Sequence, residues 1–383
     1  MTTPSVSAPE ARTGPATPAT ASGPATPATA SGPATPATAT GPATPVTAPG
    51  RGATALRLAG LLAACVLLLL VAVLSLAVGA KAIPPGDVVR ALLHGSDSVD
   101  ASVVLDLRVP RTLLGITVGA ALAVAGVLMQ ALTRNPLADP GLLGVNMGAS
   151  AAVVATLALW REAGTGTSVW SALAGAGIAA TAVHLLGARG RSGPAPVRLA
   201  LAGTAVSAVL GALISVLTLL RPDVFDQFRF WGVGSLAGVP VAAFWQVLPF
   251  IAVGAMLAVG LSGSLNALAL GDDTARALGS RVTRTRLLGA VAVTLLCGAA
   301  TAAVGPIAFV GLAVPHLARA VTGPDHRWLL PYAMLLGPAL LLGSDILGRV
   351  VGRPGEIQAG IVTAFAGAPV FIALVRRRRI AAL

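Results

Sequence analysis

Charge is what this chain has least of. Asp, Glu, Lys and Arg together make up 10% of 383 residues, and the only lysine is Lys81. A phosphate-binding P-loop needs a lysine behind its glycine-rich turn, but Lys81 sits between AVGA and AIPPG, which excludes nucleotide hydrolysis by that route. Cysteine is nearly as scarce. Cys65 and Cys297 both fall inside hydrophobic runs, which argues for small buried hydrophobes and against a disulfide framework or a metal site. His94, His184, His316 and His326 are scattered, with no pair at i, i+3 or i, i+4 to suit haem or metal. Acidic residues lie almost wholly in loops or at segment ends. No triad, carboxylate dyad or intramembrane ionisable chain of a proton-coupled carrier is therefore visible.

What is abundant is apolar. Hydrophobic residues make up 55% of the chain and the mean hydropathy is +0.84, values no ordinary soluble domain shows. The fold class expected is an all-α polytopic membrane protein. A net charge of +12 would suggest nucleic acid in a soluble protein, but here the cations flank apolar segments. They read as topology signals facing membrane lipid, and no nucleic-acid partner is expected.

Residues 1–50 repeat GPATPATAS with a period of nine, a Pro/Ala/Thr tract with nothing to bury, expected to stay extended and disordered. Residues 51–383 form the expected membrane domain. Against the roughly 20 residues a spanning helix needs, ten hydrophobic segments qualify: 56–80, 111–131, 141–160, 168–187, 197–220, 241–262, 286–304, 306–321, 328–348 and 357–375. The ambiguous run is Leu287 to Ala318, with a break expected at Gly305-Pro306. Ten crossings with the N-terminus inside put 17 of the 26 Lys and Arg residues in the cytoplasm and nine outside; nine crossings split them 13 to 13. The positive-inside rule favours ten, with both termini cytoplasmic. Gly115 with Gly119, and Gly144 with Gly148, make small-xxx-small pairs for close helix packing. The aromatics of loop 221–240 suit an interfacial helix.

Between two long segments, Asn266 to Arg286 reads as a short helix on the cytoplasmic side. Asp272 and Asp273 supply an N-cap and first-turn negative charge, Ala275 and Leu278 one apolar face, and Gly279 a left-handed end. So short a helix must be held by something, either another protein surface or lipid headgroups. At the other end, Arg108 and Arg111 flank Pro110, and Arg349 lies on the same side. Cations at a helix N-terminus oppose its dipole, so they act either as phosphate anchors or as a basic docking face, partly neutralised by Asp106 and Asp345. Asn135-Pro136 and Asp139-Pro140 make two tight turns after Gln130, which either lines a polar path or bonds to a neighbouring helix.

Taken together, Arg108-Val-Pro-Arg111, Gly119-Ala-Ala-Leu122, Gln130 with Asn135-Pro-Leu-Ala-Asp-Pro140, Leu142-Leu-Gly144, Leu270-Gly-Asp272, Leu278-Gly279, Gly305-Pro-Ile307, Phe309-Val-Gly-Leu312, Pro315-His316 and Gly367-Ala-Pro369 resemble the FecCD family of ABC-transporter permeases. The family imports ferric siderophores, haem and vitamin B12. The resemblance runs from about Leu56 to Arg376. It implies a transport subunit that is no enzyme, in the plasma membrane, moving an iron-siderophore or related chelate into the cytoplasm. It also implies three partners: an ABC ATPase dimer that carries ATP and Mg, an extracytoplasmic substrate-binding protein, and a second permease, a copy or a paralogue. No cofactor or metal is expected in this chain itself. The coupling helix to the ATPase would be 266–280, with Leu268, Leu270, Gly271, Asp272, Ala275, Leu278 and Gly279. Arg108, Arg111 and Arg349 would meet glutamates of the binding protein, and Gln130, Asn135 and Pro136 would serve the translocation path or packing. One departure is Glu356-Ile-Gln-Ala-Gly360, where the family commonly has Glu-Leu-Pro-x-Gly. The rival reading, an ion-coupled secondary transporter, would need broken helices holding an ion and no ATPase.

Overall fold

The computed structural model describes residues 51–79, 81–95, 98–160, 165–188 and 196–376, and among them it is all helix with no strand. The N-terminal repeat tail and the arginines from 377 onward lie outside the described residues. The first half opens with α1 (Arg51–Ala77), the short α2 (Pro85–His94) and α3 (Val99–Ser102), which runs through a π-helical turn, Val103–Arg108, into α4 (Val109–Thr133). A 3₁₀ turn, Pro140–Leu143, leads to α5 (Val145–Leu159), α6 (Thr165–Ala188) and α7 (Pro196–Leu220). The second half holds α8 (Pro222–Trp231), α9 (Val241–Ala269), α10 (Asp272–Ala277), α11 (Val282–Val304), α12 (Val310–Thr322), α13 (His326–Val351) and α14 (Ala359–Arg376).

Each of the ten hydrophobic segments is occupied by a helix. Seven stretches are long and apolar enough to cross a bilayer: those of α1, α3 to α4, α6, α7, α9, α11 and α13. Helices α5 and α14 are shorter and apolar. Helix α12 has 13 residues, about 20 Å at the helical rise, against a hydrocarbon core of about 30 Å. The break expected at Gly305-Pro306 is present: α11 stops at Val304, Gly305 has φ +78°, and the chain re-enters a helix only after Phe309 at φ +68°. Loop 221–240 does hold a short aromatic helix, α8.

The helix of the second segment starts earlier than its hydrophobicity suggests, at Val99, where the Ser98 hydroxyl accepts from the Ala101 N–H at 3.2 Å. Asp100, Asp106 and Arg108 dilute the apolar signal there. The π-helical turn precedes Pro110, whose ring nitrogen has no proton to give a regular helical ladder.

Helix α4 is the hub, buried along most of its length and packed against α13, α11, α9 and α12. Its glycines make this possible. A Cβ on Gly119 would sit 2.6 Å from Pro338 Cα, and one on Gly126 would sit 1.9 Å from the Gly311 carbonyl oxygen. Of the second glycine pair, Gly148 does pack closely, on Gly175 of α6, but Gly144 does not serve as a packing position. It has φ +71° and joins the 3₁₀ turn to α5. By contrast α1 and α7 turn most of their apolar side chains outward, as helices facing hydrocarbon or another chain must.

Replacing Gly126 with Val should cost about 2 kcal/mol or more, because the added carbons meet backbone that cannot give way. Gly177→Ala, on α6 with open space around it, should be neutral or stabilising. Thermal unfolding of the detergent-purified chain reads both.

Candidate functional site

Two polar constellations occupy opposite ends of α4. At its C-terminal end stands α10. Helix α9 stops at Ala269, Gly271 turns the chain at φ +108°, and α10 follows for six residues. Its end is a double carbonyl closure: the Gly279 N–H donates to Arg276 O at 2.9 Å, and the Ser280 N–H to Ala275 O at 2.9 Å, with Gly279 at φ +80°. This is the left-handed termination expected of Gly279.

The start differs from expectation. Gly271, not Asp272, is the N-cap, and Asp272 is instead a clamp. Its carboxylate pairs with Arg134, at the end of α4, and with Arg286 of α11 at 3.1 Å. Arg134 also donates from Nε to Leu268 O at 3.0 Å. Arg134 is a site residue the sequence reading passed over; nothing in its neighbourhood marks a partner 138 positions away.

The apolar residues of this end divide in two. Leu268 and Ala275 are buried, packed with Val282, Leu132 and Ala267 in a small core of their own. Both were expected among the ATPase-coupling residues, and in this structure they face inward. Leu270 and Leu278, each 63% exposed, stand out from the surface.

Behind α10 lies a chain of polar contacts. Asn266 Oδ1 accepts from the His326 N–H at 2.9 Å, and its Nδ2 donates to Asp325 at 2.7 Å. Arg319 of α12 donates to Gln130 Oε1 at 2.7 Å, and His316 bonds the Pro136 carbonyl at 2.9 Å. Gln130 is fully buried and bonds a neighbouring helix, while Asn135 Oδ1 accepts from the Leu137 N–H at 3.0 Å as a turn residue. Gln130, Asn135 and Pro136 thus stand in packing and turn positions.

At the other end of α4 the structure brings Arg108, Arg111 and Arg349 together but faces them inward, at 5%, 8% and 1% exposure. They form no open basic face. Arg108 donates to the carbonyls of Leu76 and Ala77 at 2.8 Å and of Lys81 at 2.6 Å. Arg349 donates to Ser75 O at 2.9 Å and Val78 O at 2.7 Å, and Arg353 to Gly79 O at 2.9 Å. Lys81 apart, these are carbonyls at or just past the end of α1, which has no basic residue in its own last turn. Cations there complement the helix dipole, so the arginines that oppose the dipole of α4 satisfy that of α1. Asp345, with no exposure, receives Arg111 at 2.7 Å and Arg349 at 3.1 Å, and Glu356 receives Arg111 at 2.7 Å. Of the two carboxylates expected to neutralise them, Asp345 does so; Asp106 forms no ion pair among the described residues. The i, i+4 spacing of Asp345 and Arg349 was legible; Ser75, Arg353 and the α1 carbonyls carried no sequence signal.

Beside the Arg111–Glu356 pair opens a cavity of about 640 Å³, bounded by α5, α6, α8, α9, α11 and the loop before α14. Phe230 and Trp231 of α8 line it together with Gln227, Gln358, Ser235 and the last turn of α11. At the start of α8, hydrogen bonds from Arg221 at 3.0 and 2.9 Å hold the Asp223 carboxyl down at about 2. No group of three or more His, Cys, Asp or Glu able to hold a metal occurs among the described residues.

The chain matches the model of the FecCD transport family over residues 67–377. It is 52% identical over 312 residues to the ferric enterobactin transport system permease protein of Escherichia coli (strain K12), covering 82% of this chain and 93% of that one. With the Fe(3+)-citrate import system permease protein of Bacillus subtilis (strain 168) it shares 41% over 306 residues, 80% of this chain and 91% of the other. A solved metal-chelate type ABC transporter in an inward-facing conformation superposes with a TM-score of 0.73 at 28% identity, over 84% of this chain and 99% of that one.

Arg349→Ala should destabilise the protein by about 3 kcal/mol or more, because it leaves Asp345 a partner short in the interior and frees two α1 carbonyls. A fall in the detergent unfolding temperature far larger than that of Arg90→Ala, an exposed arginine on α2, is the expected reading.

Proposed function

The chain belongs to the FecCD transport family, and we propose that it is the permease subunit of an ATP-driven importer that moves a ferric siderophore across the plasma membrane into the cytoplasm. Its long apolar helices make it a multi-pass membrane protein. In the proposed topology all ten segments cross, with both termini and α10 cytoplasmic, as the distribution of arginines favours. An ATP-driven importer whose permease has no P-loop draws its energy from another chain, here an ABC ATPase dimer that carries ATP and Mg. A second permease subunit, copy or paralogue, completes the membrane part.

The observation that carries this reading is α10. A six-residue helix is too short to persist alone, yet this one is fastened from below by Asp272, Arg134 and Arg286 while Leu270 and Leu278 are left outside. A stiff stub with two protruding apolar side chains suits a groove on a motor protein. Force can pass only if those contacts differ between the two states of the ATPase. From α10 it reaches α4 through Arg134, α11 through Arg286, and α13 through Asn266.

At the opposite, extracellular end a substrate-binding protein delivers the chelate. Arg108, Arg111 and Arg349 are taken up internally, so docking through them requires an incoming carboxylate to replace Glu356, the more accessible of the two acids, on Arg111. Two 41%-to-52% relatives carry names that specify iron chelates, which makes ferric enterobactin the first substrate to test.

The test is uptake of radiolabelled ferric enterobactin by cells that depend on this chain and its partner subunits. Leu270→Ser with Leu278→Ser should cut uptake at least tenfold while the amount of protein in the membrane stays unchanged. Uptake that continues without the ATPase and collapses with the proton or sodium gradient would overturn the reading in favour of an ion-coupled carrier.

A further inference from the structure

We propose that the seam where α1 meets the start of α13 is a binding site for a phospholipid of net negative charge, its phosphate held by Arg57 and Arg327 and its acyl chains lying along α12. The proposal goes beyond the importer reading and needs only that the chain lies in a bilayer.

Packing builds the seam. Helices α1 and α13 run in the same direction, joined at their late ends by Arg349 on Ser75 O at 2.9 Å and at their early ends by Tyr332 Oη, which donates to Arg57 O at 2.6 Å. Gly60 permits the approach, since a Cβ there would lie 2.3 Å from Tyr332 Oη. The same Cβ would lie 3.4 Å from a Val321 methyl of α12, so three helices meet at this level. Val321 and Leu317, one turn apart on α12, are 48% and 50% exposed and form an apolar strip leading away from the start of α13.

The charges here are unmatched. The Arg57 guanidinium stands 6.0 Å from the centre of the Trp328 ring, and Arg327 reaches the other flank of α13, its Nη2 3.9 Å from where a Cβ on Gly263 of α9 would be. Neither guanidinium has a carboxylate or a hydrogen-bond acceptor among the described residues. Asp325 does not serve them, because its Oδ1 already takes Asn266 Nδ2 at 2.7 Å and the Arg327 backbone N–H at 3.0 Å. Arg108, Arg111, Arg134, Arg286 and Arg349 are all satisfied inside the chain, whereas these two are left for an anion from outside.

Depth and charge narrow the class. Arg57 lies six residues after the start of α1 at Arg51, and Gly263 six before the end of α9 at Ala269, about 9 Å inside the helix ends in each case. That is the interfacial level where phosphates lie and tryptophan is favoured. Two cations without an acid select a headgroup of net negative charge, since a choline or ethanolamine head would bring its own cation against them. Free phosphate would meet the guanidinium groups but would leave Val321 and Leu317 uncovered.

The delipidated full-length chain in a non-ionic detergent should bind phosphatidylglycerol saturably and at least fivefold more tightly than phosphatidylcholine, read by native mass spectrometry. Arg57→Gln with Arg327→Gln should abolish the preference, and Arg57→Lys with Arg327→Lys should keep most of it. Arg90→Gln, which removes an exposed arginine paired with Asp87 on α2, should leave it unchanged. Without lipid both double variants should unfold at the wild-type temperature, because neither guanidinium makes an internal bond; added phosphatidylglycerol should raise that temperature for the wild type and the lysine pair, not for the glutamine pair. Inorganic phosphate in excess should not displace the lipid. Equal affinity for the two lipids, or a glutamine pair that binds as wild type, would overturn the site, and displacement by inorganic phosphate would overturn the lipid as its occupant. None of these measurements involves transport, so their failure leaves the importer reading standing.

Discussion

A membrane helix bundle has no water to satisfy the groups its helices leave open, and the end of α1 shows how heavily this chain depends on that constraint. The last carbonyls of α1, from Ser75 onward, have no basic residue in their own turn to meet them. Three arginines, from the π-helical turn before α4, from α13 and from the loop beyond it, reach across to fill them. Charged groups cannot be brought inside alone, so Asp345 and Glu356 come with them. One helix end thereby fixes the mutual placement of α1, α4 and α13, and it sets one wall of the cavity through Arg111.

At the other end the same economy of charge serves a different purpose. Asp272 gathers Arg134 and Arg286 so that a helix of six residues is held at both sides. Rigidity there matters because a loose linker between α9 and α11 would absorb a push and not transmit it. Close packing carries the rest: α4 lies backbone against backbone on α12 and α13 at Gly126 and Gly119, so displacement at its C-terminal end has little slack to be lost in.

That the hydrophobic segments would be helices was legible because hydrophobic length is a strong signal. So was the break at Gly305-Pro306, which rests on two residues with unusual backbone demands. The start of the second helix was not legible, since Asp100, Asp106 and Arg108 interrupt the apolar run that betrays a span. Nor could the stretch around α10 reveal which leucines face out: Leu270 and Leu278 flank a helix of fewer than two turns, too short for periodicity to mark a face, and burial of Leu268 and Ala275 depends on Leu132 and Val282 from other helices. The arginines were recognised as important, but their direction was not. Whether a cation faces solvent or a carbonyl depends on a helix end about 30 to 270 residues distant, and only the fold supplies that.

The single lysine has a consequence for how the bundle is put together. Lys81 stands in the connection that leaves α1, beside Asp100 and accessible, so a lysine-specific protease has one place to cut. The nick would sever α1 from the other helices as a chain while the guanidinium bonds to Ser75, Leu76, Ala77 and Val78 remained. The protein would then be a two-piece assembly in which the first helix stays seated by the arginines on its terminal carbonyls, a separate part held in place by the body it normally precedes.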